Sequence, residues 1–122
     1  MAEIKIETMK FYAFHGCFDE ERVVGTHFEA DCTIEVNCNQ AAQTDNLSYT
    51  INYQEVYQLI KQEIEQSSAL LENVAYRILS SLKQHYSQAD NITIEIKKLN
   101  PPLGGKIKSV SVKMNSKELN IK

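Results

Sequence analysis

Hydrophobic and polar residues alternate along this chain with two different periods, which divide it into strands and helices. From Phe28 to Cys38 the alternation is unbroken, the pattern of a strand with one buried face. A first strand from Ile4 to Phe11 alternates in the same way, but its phase changes at Glu7 and Thr8. We expect a β-bulge at that point, because one extra residue reverses which side chains face the core.

The middle of the chain follows the period of helices. Asn52 and Glu55 are spaced as a capping box, and the apolar positions that follow lie on one helix face as far as Ile64. Ser67-Ser68 then offers an N-cap for a second helix, whose apolar stripe runs from Leu70 to Leu82. Two further strands are predicted near the C-terminus: Asn91–Leu99 and Ile107–Met114.

This order of elements predicts an α+β fold in one domain over residues 1–122. Strands joined by loops favour an antiparallel four-stranded sheet, with both helices covering one face. The segment from His15 to Thr26 is too long for a tight hairpin, and such loops tend to carry function. The unpaired sheet edges are templates for another chain, so we expect a homo-oligomer whose sheets join edge to edge.

Lys98 interrupts the apolar phase of the third strand. It shares the strand face of Ile92, Ile94 and Ile96, because side chains alternate between the two faces. Pro101-Pro102 ends the strand soon afterwards, since proline lacks the amide donor of a ladder. A lysine at a sheet end either extends its stem to water or serves a cleft, and the pattern alone favours the first interpretation.

Composition and charge narrow the function classes. The 122 residues carry a net charge of −3, which argues against general nucleic-acid binding. The lysines near the C-terminus have no interleaved aromatic residues and indicate a solvated face. No apolar run approaches membrane-spanning length, and no signal peptide is evident. Three cysteines without a Cys-x-x-Cys motif, two of them (Cys32 and Cys38) on an apolar strand phase, indicate reduced thiols and the cytoplasm.

Two further polar residues and one acidic run have both a chemical and a structural interpretation. Glu72, in the first turn of the second helix, could accept two N–H groups from an amidine-like edge or simply complement the helix dipole. Tyr53 could relay a proton or pack as a half-buried tyrosine. The acidic run at Asp19-Glu20-Glu21 is typical of a solvated helical turn, although one member could order a substrate hydroxyl or water. The histidine spacings predict no metal site.

Several short segments, taken in order and at their separations, form a specific combination. They are Phe11-Tyr12-Ala13-Phe14-His15-Gly16, Glu21, Gly25, Phe28-Glu29-Ala30-Asp31, Thr44-Asp45-Asn46-Leu47, Thr50-Ile51-Asn52-Tyr53, Leu70-Leu71-Glu72-Asn73-Val74-Ala75 and Lys98-Leu99-Asn100-Pro101-Pro102. Together they resemble dihydroneopterin aldolase, the pterin side-chain lyase of folate biosynthesis, over most of the chain. Thr26 and Cys17 depart from the pattern of many relatives, which leaves pocket shape and substrate preference open.

The resemblance implies an assembly as well as an activity. It implies a tunnelling fold, in which the sheets of several subunits close into a barrel, and an octamer of two tetrameric rings. Active sites would lie between subunits, with Tyr53 contributed by the partner chain. A retro-aldol cleavage of 7,8-dihydroneopterin would give 6-hydroxymethyl-7,8-dihydropterin and glycolaldehyde. Reversal after cleavage could also invert the 2′ carbon.

The resemblance also implies a role for each site residue. Lys98 matches the catalytic acid/base, while Glu21 and Tyr53 match polar residues that contact the side chain being cleaved. Glu72 matches the carboxylate that anchors the pterin, and the Leu71 backbone helps to hold the pterin edge. The ring C=N bond accepts the electrons of the broken bond, so the resemblance implies neither a metal, nor a Schiff base, nor another cofactor.

Three other functions stay open from the sequence. An epimerase of dihydroneopterin triphosphate shares the fold, but it needs basic residues for its substrate and typically lacks the pair His15-Gly16. A non-catalytic pterin- or purine-binding scaffold would have no reason to keep Lys98 alongside Glu21, Tyr53 and Glu72. Oxidation of dihydroneopterin by oxygen is not separable from lyase activity on sequence grounds.

Overall fold

The four strands form one antiparallel sheet with the order β1-β2-β3-β4 in the computed structural model, which describes residues 1–122. The strands are β1 (Ala2–Ala13), β2 (Thr26–Val36), β3 (Asn91–Leu99) and β4 (Ser109–Asn115). The helices are α1 (Asp19–Val24), α2 (Asn39–Thr44), α3 (Tyr53–Ile64) and α4 (Leu71–His85), with a 3-10 turn at Leu47–Tyr49. The predicted α+β class and the antiparallel four-stranded sheet are confirmed.

Both long helices cover the same face of the sheet. Alternate residues of β2 and β3 are buried beneath the apolar faces of α3 and α4, and 21 buried side chains form one core. Phe28, Ile94, Ile60 and Leu79 are among the fully buried members. The predicted placement of the two helices on one face is therefore confirmed. No helix is both long and apolar enough to cross a membrane.

The bulge expected in the first strand is present. The register between β1 and β2 shifts between Ile6 and Met9, and Thr8 adopts a φ of 54° there. The Thr8 N–H, which lies outside the ladder, donates to Asp31 Oδ1 at 2.6 Å. The bulge brings Met9 onto the buried face, where it packs in the core.

Several strand boundaries differ from those predicted, because a strand ends where it loses its neighbours. The strand predicted at Phe28–Cys38 spans Thr26–Val36, since β1 and β3 provide no partner beyond Val36. Cys38 is half-buried and precedes α2 instead. The strand predicted at Ile107–Met114 begins at Ser109, the partner of Leu99, at which β3 ends.

The predicted N-cap of α3 is confirmed, but that of α4 is not. Asn52 caps α3 as predicted, and its Oδ1 accepts from the Gln54 N–H at 3.1 Å. The prediction that Ser67-Ser68 caps α4 is wrong, because the N-cap is Leu70 and no side chain caps it. The two serines contact other groups: Ser67 Oγ donates to the Phe14 carbonyl, and Ser68 Oγ contacts Asn73 Oδ1 at 2.7 Å.

Arg77 of α4 joins the end of α3 to the segment that enters α4. Its guanidinium donates to the Glu63 carbonyl at 2.7 Å, the Glu63 carboxylate at 3.0 Å, the Gln66 carbonyl at 2.8 Å and Ser68 Oγ at 2.8 Å. Carbonyls at a helix C-terminus have no partner within their own helix. Arg77 therefore satisfies the end of α3 and fixes the position of Ser68.

We expect Arg77→Met to lower the free energy of unfolding by about 2–3 kcal/mol, because it removes the hydrogen bonds to the Glu63 and Gln66 carbonyls and leaves the half-buried Glu63 carboxylate unpaired. Lys61→Met, on the exposed surface of the last turn of α3, is the matched control, with an expected change below about 0.5 kcal/mol. Urea unfolding at one fixed protein concentration measures both. Equal losses in the two variants would contradict the bridging role of Arg77.

Candidate active site

Lys98 and Glu21 form an ion pair at one end of the sheet. Lys98 lies near the end of β3, between Phe28 on β2 and Val110 on β4. Its ammonium contacts the Glu21 carboxylate and lies 3.4 Å from the His15 carbonyl oxygen. The two side chains are only 13% and 15% exposed. The lysine therefore does not extend its charge into open solvent.

Some neighbours of Lys98 favour its neutral form and others favour its charged form. Burial lowers the pKa of Lys98, and the neighbouring Cys17 acts in the other direction. The Glu21 carboxylate in contact with the ammonium also favours the charged form. A lysine whose pKa is lowered by burial, and whose charged form is stabilised by contact with one carboxylate, can give up or regain its proton when that contact changes.

The short helix α1 directs Glu21 inward. The acidic run was predicted to form a solvated helical turn. It does form a helical turn, and the Asp19 side chain is 99% exposed, as that prediction requires. Glu21 is two residues further on and lies on the opposite, inner side of the turn. The helix ends at Gly25, whose N–H donates to the Glu21 carbonyl at 3.1 Å and whose φ of 77° favours glycine.

His15 is buried beside this pair and had no predicted role. It is 2% exposed, and its ring meets Phe28 edge to face at 5.2 Å between centroids. Nδ1 accepts from the Ser68 N–H at 3.1 Å, so the neutral ring carries its proton on Nε2, which has no hydrogen-bond partner. Burial, and then the Arg77 charge, lower the pKa of His15 to about 4, although the Ile64 carbonyl opposes this shift.

A second hydrogen bond completes the attachment of this loop. The Gly16 N–H donates to the Ser68 carbonyl at 3.0 Å, next to the bond from the Ser68 N–H to His15. The end of β1 is thereby joined to the segment that leads into α4. The sequence showed His15-Gly16 at the start of a long loop, but it could not show that Ser68 is its partner.

Two cavities of about 290 Å³ each share Glu21 and Lys98 in their walls. One lies towards α1, Gly25 and Thr26. The other is lined by more apolar residues, which sequence reasoning had not assigned to a site: Cys17, Phe18, Ala69, Leu103 and Val110. The position of Cys17 and Phe18 directly after His15-Gly16 was the one signal in the sequence that could have identified them.

The remaining predicted site residues lie at two separate places. Leu71 and Glu72 begin α4, just after Ala69 in the cavity wall, and Glu72 is exposed without a hydrogen bond or ion pair. Tyr53, which is 66% exposed, begins α3 beside Asn52, whose carbonyl accepts from the Tyr86 hydroxyl at 3.4 Å. Tyr86 follows α4, roughly 20 Å from Glu72 along the helix axis. The structure thus brings Lys98 and Glu21 together and leaves Tyr53 apart.

Comparison with known proteins identifies the family. The sequence profile of dihydroneopterin aldolase matches residues 4–115. The chain belongs to the dihydroneopterin aldolase family. It is 35% identical to dihydroneopterin aldolase of Bacillus subtilis over 119 residues, which cover 97% of this chain and 99% of that protein. It is 34% identical to that of Staphylococcus epidermidis over 112 residues, 91% of this chain and 93% of the relative.

Solved structures share the fold of this dihydroneopterin aldolase family member. The E. coli dihydroneopterin aldolase in complex with neopterin superposes with a TM-score of 0.86 at 19% identity, covering 94% of this chain and 98% of that one. A Vibrio cholerae protein described as a putative dihydroneopterin aldolase gives a TM-score of 0.85 at 20% identity, covering 94% and 96%. The arrangement of sheet and helices is thus shared at low identity.

The buried neutral His15 makes stability depend on pH in a defined direction. Its pKa in the folded chain, about 4, lies below the ordinary value of 6.5, so the folded state disfavours the protonated ring. Its contribution is complete above pH 6.5 and is lost as the pH falls towards 4, with a full value of about 3 kcal/mol. We expect His15→Asn, whose Oδ1 can accept from Ser68, to weaken the loss of stability across this interval.

Thermal unfolding between pH 7 and pH 4 measures this effect. His85→Asn is the control, because His85 lies on the surface at the end of α4 and should leave the pH dependence of wild type unchanged. If the melting temperature of His15→Asn falls with pH as steeply as that of wild type, the pH dependence does not come from His15.

Proposed function

We propose that this chain cleaves 7,8-dihydroneopterin by a retro-aldol reaction in folate biosynthesis. The proton of the 2′ hydroxyl is removed, the bond between the 1′ and 2′ carbons breaks, and glycolaldehyde leaves. The electron pair of that bond passes into the ring C=N bond and forms an enamine. Protonation of the 1′ carbon then gives 6-hydroxymethyl-7,8-dihydropterin. Family membership supports the aldolase activity, and the Lys98–Glu21 pair supports an acid/base mechanism.

In this proposal Lys98 moves the protons at the ring nitrogen and the side-chain hydroxyl. Its low exposure and its contact with Glu21 are the observations that carry the proposal, because a half-buried lysine with its pKa lowered by burial suits general acid/base catalysis. Glu21 positions water or the hydroxylated tail of the substrate. The chemistry requires no metal ion or Schiff base, because the pterin ring itself accepts the electrons.

We assign the pterin ring to the region where α4 begins. The exposed Glu72 carboxylate has no partner in the chain and can accept two parallel hydrogen bonds from the amino and N3–H groups of a pterin. The Leu71 backbone borders the same edge. The apolar wall of the neighbouring cavity, which includes Phe18 and Leu103, suits the face of a flat ring.

Tyr53 enters the proposed site from the partner subunit and helps to protonate the enamine carbon. Within one chain it begins α3 at the end of the helical layer away from Glu72. Each cavity at Lys98 has about 290 Å³, which is at the lower end of the roughly 300–1,000 Å³ typical of ligand sites. Strands β1 and β4 leave the two sheet edges available for pairing. These features support a tunnelling-fold barrel, with an octamer of two tetrameric rings as the proposed assembly.

The direct test is cleavage of 7,8-dihydroneopterin by the pure protein, without oxygen and with excess chelator. We expect glycolaldehyde and 6-hydroxymethyl-7,8-dihydropterin in equal amounts, and a loss of on the order of 100-fold or more in kcat for Lys98→Ala. Lys97→Ala, on the opposite face of β3, is the matched control and should retain wild-type turnover.

Two outcomes would contradict the proposal. Turnover by folded Lys98→Ala near that of wild type would exclude the acid/base role of this lysine. Absence of cleavage by the folded, assembled wild-type protein would exclude the aldolase reaction. The same protein would then be tested on dihydroneopterin triphosphate for epimerisation and on pterins for binding without turnover.

A mixing experiment tests whether the site is shared between chains. Lys98→Ala and Tyr53→Ala proteins should each be nearly inactive alone. When equal amounts are unfolded and refolded together, about a quarter of the sites combine an intact Lys98 with an intact Tyr53 of the partner subunit, and activity returns to that extent. Mixed oligomers that stay as inactive as the parents would show that both residues of a site come from one chain.

A further inference from the structure

Gly16 has no side chain, and the Glu21 side chain occupies the space in which one would lie. A Cβ atom built on Gly16 would lie 2.5 Å from Glu21 Cβ, 2.6 Å from its Cδ and 2.7 Å from its Oε1. The nearest of these atoms is at the base of the side chain, so rotation of Glu21 about its outer bonds cannot remove the overlap. Any larger residue at position 16 requires either the loop or α1 to move.

The loop that carries Gly16 is held in place by hydrogen bonds to Ser68. The Gly16 N–H donates to the Ser68 carbonyl, and the ring of His15 accepts from the Ser68 N–H. Ser68 is itself bonded to Arg77 and Asn73 of α4. A side chain at position 16 would therefore displace Glu21 and α1 more readily than it would displace the loop.

The opposite side of Glu21 faces Lys98. The titratable groups around the ammonium are Glu21 in contact with it and Cys17 and His15 near it, with Glu20 in the wall of the cavity towards α1. The neighbours of Lys98 across the sheet, Phe28 and Val110, are apolar. Glu21 is therefore the one carboxylate in direct contact with the lysine.

We propose that Gly16 is a positioning residue, whose lack of a side chain allows Glu21 to contact Lys98. This deepens the function proposed above and rests on it where catalysis is concerned. The glycine is needed for close approach and not for an unusual backbone conformation, because Gly16 is not among the residues with positive φ. The same loop supplies the His15 carbonyl oxygen near the ammonium.

The first experiment compares Gly16→Ala with Gly105→Ala. Gly105 has no atom within 4 Å of a built Cβ and no positive φ, so it controls for the general effect of replacing glycine. We expect Gly16→Ala to lower kcat/KM by about 10- to 100-fold, since displacements near 1 Å have effects of this size, and Gly105→Ala to have little effect. Equal activity in both variants would overturn the proposal.

A double-mutant cycle separates positioning from a general loss of structure. Glu21→Gly removes the side chain that a Cβ on Gly16 would overlap. In that background, adding Gly16→Ala should change neither kcat/KM nor the melting temperature, although the same substitution lowers both in wild type. If Gly16→Ala has the same effect in both backgrounds, Gly16 does not act through Glu21 and the proposal fails.

A titration tests the contact without requiring catalysis. Lysine labelled with carbon-13 reports the pKa of Lys98 by NMR, and the signal is assigned by its loss in Lys98→Arg. Glu21→Gln should lower this pKa, because it removes the charge that favours the ammonium, and Gly16→Ala should shift it in the same direction. Gly105→Ala should leave it unchanged.

The titration also distinguishes failure of the two proposals. If wild type does not cleave dihydroneopterin, the proposed function fails, but a lowered Lys98 pKa in Gly16→Ala would still support the positioning role. If Lys98 in folded Gly16→Ala titrates as in wild type, the positioning role is excluded whether or not the chain is an aldolase.

Discussion

The two hydrogen bonds between His15-Gly16 and Ser68 hold together the parts of the candidate site. They connect the end of β1 to the segment entering α4, at 3.0 and 3.1 Å. The His15 carbonyl on this loop faces Lys98, Gly16 gives room to Glu21, and Ser68 precedes the helix that carries Glu72. Segments that are distant in sequence are thus placed relative to one another by two hydrogen bonds, one between backbone groups and one from a backbone N–H to the His15 ring.

That contact depends on the state of two buried or half-buried groups. His15 accepts from Ser68 only while Nδ1 is unprotonated, and burial keeps the ring neutral at ordinary pH. Arg77 holds Ser68 from the other side and adds its charge to the forces that lower the His15 pKa. The same arginine therefore supports the loop structurally and favours the protonation state that the loop requires.

The Lys98–Glu21 pair is costly as a structural element. Removing two charges from water incurs a desolvation penalty that their attraction only partly offsets, so a pair of this kind adds little net stability. An apolar residue in place of Lys98 would continue the isoleucine face of β3 without that penalty. A charge kept at such a position is better explained by chemistry in the adjoining cavities than by folding.

The sequence by itself determined the four strands and the two long helices of this protein and its fold class, but not the short helix α2 or the 3-10 turn that follows it. Alternation gave the strands, including the bulge near Thr8, and helical periodicity gave α3 and α4, because burial of one face imposes a period on each element. The exact ends at Val36 and Ser109 were not predictable, since a strand ends where its neighbour ends. Asn52 was recognisable as a cap because capping is local, whereas the contacts of Ser67 and Ser68 are with distant residues.

The site divides in the same way. Lys98 was visible as a break in a pattern, and the family resemblance named Glu21, Tyr53, Leu71 and Glu72. Only the tertiary structure decided that Glu21 contacts a lysine 77 positions away and that Tyr53 lies apart from both. It also decided the neutral state of His15 and the need for glycine at position 16. These properties depend on distances between segments that are remote in the chain. The order of residues does not specify those distances, because they are set by how the core packs.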